Sequence, residues 1–450
     1  MLQYNSKVKN EGDATLTLAL IICLLTGIGV FFSVLIKPDF RFGKLRLGTY
    51  WVVSLAGALT LIFTRSIPLS HLWAGLTADS AVNPLKILVL FLSMTALSVF
   101  LDELGFFRYL AGAVLARAGG SQRVLFLLLF AIVSVLTVFT SNDIVVLTFT
   151  PFICCFAKNA KIDPLPYLIA EFVASNTWSM ALIIGNPTNI YIASSAGIGF
   201  AEYVAVMFLP TLIAGLTAFS ILLLLFRKRL SKPIMQEENP EHIADKPALV
   251  LGLSHLGICT LFLAVGSYTG LDMWLVSLLF AISLSVGVLI LSFARRGRIS
   301  LLASTVKRLP YELIPFVLSM FTVVLCLDHY GLTDVLAQLL GNERTVFSYG
   351  ILSYLSANFI NNIPMSVLFS SVLDGGVLSG SAYVCGVYAT VIGSNLGAYF
   401  TPVGALAGIM WVSILKKEKV EFSFLSFIKY GVIISIPTLL VSLLTLTLFV

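Results

Sequence analysis

Long apolar runs recur from Ala14 to the C-terminal end of the chain, separated by short stretches that are polar and mostly basic. The pattern predicts spanning helices near 14–36, 49–64, 86–101, 164–198, 203–226, 248–266, 271–293, 312–327, 380–410 and 427–449. Two further pairs of apolar runs, 122–158 and 345–373, turn at polar tips, and an amphipathic stretch precedes each pair, at 106–118 and 332–341. The first tip reads "TSNDIVVLTFTP", Thr140 to Pro151, between runs that hold no charge from Val124 onward and none again until Lys158. An aspartate in such a place is costly in a membrane and usually functional.

Composition decides the solvent. Hydrophobic residues are 58% of 450 and charged residues only 11%, against about 45–50% and about 25% in soluble domains. Several runs exceed the roughly 20 residues that carry a helix across a bilayer core. The expected class is an all-α polytopic membrane protein. The run 14–36 is too long for a signal-peptide core and lacks a small-x-small cleavage site, so it reads as a retained helix. The six cysteines form no C-x-x-C and mostly lie in apolar runs, which speaks against a disulfide framework or a zinc site. No G-x4-G-K-[ST] nucleotide loop and no metal-protease histidine pattern appears, so an enzyme and a bound cofactor are not expected. Energy must then come from an ion gradient or from a separate ATPase subunit.

Charge sets topology. Segments 37–48, 102–123, 158–161, 227–247, 295–308 and 416–429 hold 23 of the 28 Lys and Arg residues. The excess is confined to loops and is no nucleic-acid footprint. By the positive-inside rule these loops are cytoplasmic, Arg295, Arg296 and Arg298 among them, and both termini of a cell-membrane protein lie outside. The hydrophilic stretch 227–247 is a cytoplasmic linker between two copies of one pattern. "LDELGFFRYLA" (101–111) and "LDHYGLTDVLA" (327–337) match at an offset of 226, and "FAEYVAVMFLPTL" and "FIKYGVIISIPTL" at 227. Residues 1–226 and 248–450 therefore read as inverted repeats, each with five crossings and one re-entrant hairpin, as in many secondary transporters.

The chemistry concentrates at four interruptions. Ser141, Asn142 and Asp143 form the first tip; Asn361 and Asn362, with Asn358 and Pro364 beside them, form the second. Tips entering from opposite sides can meet at the midplane and bind a small cation or an oxygen-rich solute through carbonyls, amides and helix N-termini. The alternative is that the first tip only caps its second arm. The other two interruptions break long helices: "GNPTN" with Gly185, Asn186, Pro187, Thr188 and Asn189, and "GSNLGAYFTPVG" with Gly393, Ser394, Asn395, Thr401 and Pro402. The breaks are paired here as 185–189 with 393–397. Glu171 is a further candidate for proton coupling, either intramembrane or reaching the cytoplasmic interface, with Asn176 and Thr177 deeper on the same helix. His255 is expected to hydrogen-bond a neighbouring helix, Asp102 and Asp328 to cap the amphipathic stretches, and Cys154 and Cys155 to act as small hydrophobes.

At "LDELGFFRYLA", "SNDIVVLTFTP", "NNIP" and "GSNLGAYFTPVGALAGIMW" the sequence resembles the ion transporter superfamily, the arsenite-efflux permeases most closely, through nearly the whole chain. The first tip and "GNPTN" are also similar to signatures of the related divalent-anion/sodium symporters. The resemblance implies scaffold and transport domains, a homodimer and an elevator motion. It carries ion and substrate binding onto Ser141, Asn142, Asp143, Gly185, Asn186, Thr188, Asn189, Asn361, Asn362, Ser394, Asn395, Thr401 and Pro402. Asp143 stands where the symporters have threonine, which adds a titratable charge and disfavours a carboxylate substrate there. The leading expectation is proton-coupled efflux of an oxy-solute such as arsenite. A sodium-coupled symporter of di- or tricarboxylates or other anions is the alternative, and an ion channel is third. No metal is expected beyond a transported or coupling cation, H+ or Na+.

Overall fold

A computed structural model of the chain describes residues 2–36, 39–42, 45–78, 83–234, 245–269, 271–294 and 300–449. Residues 235–244 of the linker and Arg295, Arg296 and Arg298 lie outside the described residues. The described part is overwhelmingly helical. Helices α1 (Leu2–Ile36), α2 (Thr49–Phe63), α3 (Leu69–Thr77), α4 (Pro84–Glu103) and α5 (Phe106–Arg117) come first. A hairpin follows, α6 (Gln122–Phe139) and α7 (Asn142–Asn159), then a broken helix, α8 (Leu165–Trp178) and α9 (Pro187–Ser195), and α10 (Phe200–Phe226). Beyond the linker come α11 (Lys246–Thr269), α12 (Met273–Ala294), α13 (Ser300–Lys307), α14 (Leu313–His329) and α15 (Leu332–Leu340). The second hairpin is α16 (Thr345–Ile360) and α17 (Asn362–Asp374), the second broken helix α18 (Gly380–Gly397) and α19 (Leu406–Lys417), and α20 (Phe424–Leu446) is last.

One loop departs from an all-α reading. β1 (Asp39–Phe42) and β2 (Leu45–Gly48) pair antiparallel with Phe40 opposite Leu47. Apolar Phe40, Phe42, Leu45 and Leu47 alternate there with Arg41 and Arg46, the two-residue period of a strand. The Gly48 N–H then donates to Glu312 Oε1 at 3.1 Å, tying this hairpin to the start of α14.

By length and composition, seven of the described helices can cross a bilayer: Ala14–Ser33 within α1, then α4, α6, α10, Lys246–Leu263 within α11, α12 and α20. Burial shows which solvent they need. α12 buries only Val276, Ser277, Leu284 and Val288, yet its exposed side includes Leu279, Ile282 and Ile290. A helix apolar all round with so little buried belongs in lipid. α18 is the opposite, buried without interruption from Cys385 to Gly397.

The helices gather in two clusters. α1, α2, α4, α11, α12 and α14 pack on one another; α6 to α10 and α16 to α20 form the second group. α5 and α15 link them, and each starts at a glycine held at positive φ, Gly105 at 78° and Gly331 at 70°. Only glycine enters that region without strain, and it lets the chain double back after α4 and α14. α14 and α15 meet at 78°. Contrary to expectation, Asp102 does not cap α5: its carboxylate pairs with Arg308 at 2.6 Å, beside a second contact from Arg308 to Glu103. Asp328 likewise accepts from the Thr333 hydroxyl at 2.6 Å rather than from the α15 backbone. His255 reaches Ser283 of α12 at 3.2 Å.

Candidate functional site

The first tip forms because Thr140 and Ser141 leave helical geometry, and α7 restarts at Asn142. Ser141 is the N-cap of α7 but makes no side-chain capping bond. Asn142 instead turns its amide to Asn176 of α8, Nδ2 to Oδ1 at 3.1 Å, and Asn176 is fixed by donating to the Phe172 carbonyl at 2.8 Å. Asp143 is 7% exposed and faces the backbone N–H of Ala407, the second residue of α19. Among the described residues no Lys or Arg forms an ion pair with it. Each arm of this hairpin has 18 residues, about 27 Å of helix.

At the second tip Asn361 adopts a left-handed φ of 72° and caps α17, its Oδ1 accepting from the Ile363 N–H at 3.3 Å. Its Nδ2 donates to the Val403 carbonyl at 2.9 Å, and the Asn362 N–H donates to the Gly404 carbonyl at 3.0 Å. Asn358 holds the same loop, accepting at Oδ1 from the Thr401 N–H and hydroxyl at 2.9 and 2.8 Å.

Between α8 and α9 the helix gives way to two short 3-10 turns, Ser179–Ala181 and Ile183–Gly185. Asn186 caps α9 by accepting from the Thr188 N–H at 3.2 Å, with Pro187 as the first helical residue, where a missing donor costs nothing. A Cβ at Gly185 would run into the Ser179 carbonyl. The second break is elsewhere than the sequence pairing put it. α18 continues through Gly393, Ser394, Asn395 and Gly397, and the irregular segment is 398–405. Gly393 and Gly397 serve close packing, since a Cβ at either would meet the α16 backbone around Gly350 and Tyr354. The two helix breaks are therefore 179–186 and 398–405, and Ser394–Asn395 lie in the last turn of α18 as Ser175–Asn176 lie in the last turn of α8.

Asn395 is the hub that joins the two breaks. Its Oδ1 accepts from Ser179 Oγ at 2.9 Å and from Asn186 Nδ2 at 3.0 Å, and its Nδ2 donates to Asn189 Oδ1 at 2.6 Å. Asn189 in turn donates to the Ser179 carbonyl at 2.8 Å. All four side chains are fully buried or nearly so. The Thr188 and Ser394 hydroxyls are buried nearby with no protein partner. Orphaned buried hydroxyls are rare and call for a bound species or water.

The elements cross over. α7 of the first hairpin packs on α19, and α17 of the second packs on α9. The N-terminus of α17 thus meets the loop before α19 at Val403 and Gly404, and Asp143 in the first turn of α7 faces the first turn of α19, where the helix dipole favours negative charge. A cavity of about 810 Å³ runs from Pro402 past Ile409 and Val412 to Lys416 and Lys419. Glu171 lies away from the tips. It is 0% exposed, so it does not reach an interface, and Thr150 Oγ1 is 3.4 and 3.3 Å from its two oxygens. The buried Trp411 indole N–H approaches it from α19. Ser179, Thr150 and Trp411 escaped the sequence reading. Ser179 was legible as part of the polar run "SNTWS", whereas nothing local marks Thr150 or Trp411.

The sequence profile of the citrate transporter family matches residues 48–384, well over half of the chain. The chain belongs to that family. This citrate transporter family member is a multi-pass membrane transporter of the ion transporter superfamily and not an enzyme. It is 29% identical over 376 residues to the arsenical pump membrane protein of Escherichia coli K12, covering 80% of this chain and 85% of that one. Its fold resembles that of the Alcanivorax borkumensis YdaH transporter, with a TM-score of 0.55 at 15% identity, covering 97% and 98% of the two chains. Neisseria gonorrhoeae MtrF, described as one of a class of antimetabolite efflux pumps, gives 0.53 at 14% identity, covering 97% and 95%.

Proposed function

We propose that this family member is a secondary active transporter that exports an oxy-solute such as arsenite in exchange for protons. The observation that carries the reading is Asp143: a buried carboxylate in the first turn of α7 that faces the first turn of α19 and has no ion-pair partner among the described residues. Asn142, Asn361, Asn362, Ser394, Asn395, Thr188 and Thr401 supply neutral oxygen and amide groups at the tips and broken helices, suited to a hydroxylated solute. Gly185, Asn186, Asn189, Ser141 and Pro402 hold the backbone that presents them. The relationship to an arsenical pump agrees with this substrate class.

Several finer features belong to the same proposal. Residues 1–226 and 248–450 are inverted repeats around the linker, and the two hairpins are re-entrant. The cluster of α6–α10 and α16–α20 moves as the transport domain against the rest, in a homodimer, with both chain ends outside. The crossing of the hairpins over the opposite half's broken helix supports these features. A sodium-coupled anion symporter is the second reading, favoured by the family's printed description as citrate transporters.

Flux of arsenite and of citrate into everted vesicles, with sodium removed and pH clamped, separates the readings. Accumulation of arsenite driven by an imposed pH gradient without sodium supports export by proton exchange. Sodium-dependent citrate accumulation replaces it with the second, and flux that never becomes concentrative leaves a channel.

A further inference from the structure

A second cavity, of about 550 Å³, opens at the base of the first hairpin, the end away from its tip. Its wall joins three stretches that are distant in sequence: Gln122 at the start of α6, Lys161 and Asp163 in the turn between α7 and α8, and Lys228, Arg229 and Lys232 after α10. Backbone bonds hold these stretches in place. The Ile234 N–H donates to the Gly120 carbonyl at 2.7 Å, Pro233 bridges to Ser121, and the Ile162 N–H donates to the Ala157 carbonyl at 3.0 Å. Asp163 does not neutralise the basic cluster. One of its oxygens accepts from the Leu165 N–H at 3.1 Å, and the other pairs with Arg229 at 2.8 Å. Among the described residues no carboxylate forms an ion pair with Lys161, Lys228 or Lys232.

Gln122 supplies an independent observation. It is 4% exposed, and its Oε1 accepts from the buried Tyr167 hydroxyl at 3.0 Å. That bond orients the amide and leaves its Nε2 without a protein partner among the described residues, in the wall of the cavity. A buried donor in this position calls for an acceptor that the protein does not provide. Gln122 is also the first residue of α6, so the positive end of that helix dipole meets the same cavity. We propose that the cavity binds a phosphate group, with Gln122 donating from within and Lys161, Lys228 and Lys232 supplying charge at the rim. The ligand class follows from the donor set: neutral and cationic N–H groups converge, and the one carboxylate in the wall is already engaged. By the charge pattern the cavity lies on the cytoplasmic face, and a basic pocket between the cytoplasmic ends of spanning helices suits a lipid headgroup as well as a free phosphate. A ligand held there clasps the start of α6 to the segment that follows α10.

The test uses the full chain, delipidated in an uncharged detergent, with two probes. Inorganic phosphate is read by isothermal titration and by the melting temperature, which rises when a ligand binds the folded state alone. Phosphatidylglycerol is compared with phosphatidylcholine by native mass spectrometry. The result expected is one phosphate-bearing ligand per chain, bound more weakly as sodium chloride is added. Saturation by inorganic phosphate with no retained lipid assigns the site to the free anion, and one retained phosphatidylglycerol assigns it to the headgroup. Lys161→Gln, Lys228→Gln and Lys232→Gln combined should weaken binding about tenfold or more, as should Gln122→Glu, which keeps the acceptor for Tyr167 and replaces the donor with a negative charge. Both variants should keep a cooperative melt, because the three lysines are exposed and Tyr167 keeps its acceptor. Absence of saturable binding by both probes, or unchanged affinity in either variant, overturns the inference. So does binding that appears only after Glu237, Glu238 and Glu241 of the linker are changed to Gln, since the cavity then belongs to the linker. Binding is read without flux, so failure here is distinguishable from failure of the transport proposal.

Discussion

Asn395 illustrates how much a single side chain can hold. It uses three of its hydrogen-bonding positions on Ser179, Asn186 and Asn189, and the Val391 carbonyl takes a share of its amide at 2.8 Å. Asn395→Ala leaves Asn186 Nδ2 and Asn189 Oδ1 buried and unsatisfied, at about 1–3 kcal/mol for each, while Ser179 keeps the Asn176 carbonyl. The expected outcome is a marked fall in melting temperature together with loss of flux, measured on purified protein and in proteoliposomes. Asn142 differs, because its partner Asn176 remains bonded to Phe172 when the tip amide is removed. Asn142→Ala should keep a near-normal melt and still abolish transport; full flux in that variant would return the tip to a structural role. Asp143→Asn keeps the size of the side chain and cannot release a proton. Solute exchange is expected to persist while accumulation driven by a pH gradient is lost, and retained coupling at fixed sodium would remove Asp143 from the mechanism. The motif residues were legible in the sequence because polar atoms amid apolar runs advertise themselves. Thr150 and Trp411 were not, since their significance comes from Glu171 on another helix.

At the level of the helices, glycines separate two kinds of constraint. At Gly397 a Cβ would lie 2.7 Å from the Tyr354 carbonyl oxygen, a backbone atom that cannot step aside. Gly397→Val is expected to overpack the α16–α18 contact by about 1–3 kcal/mol or more and to reduce the yield of folded protein, read by size-exclusion chromatography. Gly105 has open space around its Cβ position, with only the Arg108 side chain at 3.8 Å, and its burden is the left-handed φ alone. Gly105→Ala should cost about 1–2 kcal/mol and leave the fold intact, checked by a modest shift of the melt. The same contrast explains where the sequence reading of the elements went astray. Gly393 and Gly397 look like helix breakers in a string of letters, and only the nearness of α16 shows that they are there for contact. The order of the long apolar helices and the two hairpins was plain from hydropathy, whereas the short α3 and α13 were not. The strands at 39–48 were hidden because a segment of ten residues in a basic loop gives little signal beside twenty-residue apolar runs.

For the whole molecule, orientation is the simplest matter to test. In a cysteine-free background, Asn342→Cys should react with an impermeant maleimide from outside intact cells, and Lys417→Cys only after the membrane is opened. The reverse pattern would invert the charge-based topology. The crossing of the hairpins has a consequence for how the protein is made. Asp143 faces Ala407, and the amide of Asn395 closes on Asn186 and Asn189, partners that leave the ribosome some 200 to 260 residues apart. The first half therefore enters the bilayer with a charged, polar seam that nothing covers until almost the last helix has been synthesised. Contacts so distant in sequence form late and leave a long interval open to chaperones and proteases. A chain truncated before α18 should be degraded rapidly in the cell, whereas two fragments divided at the linker and produced together should rescue one another.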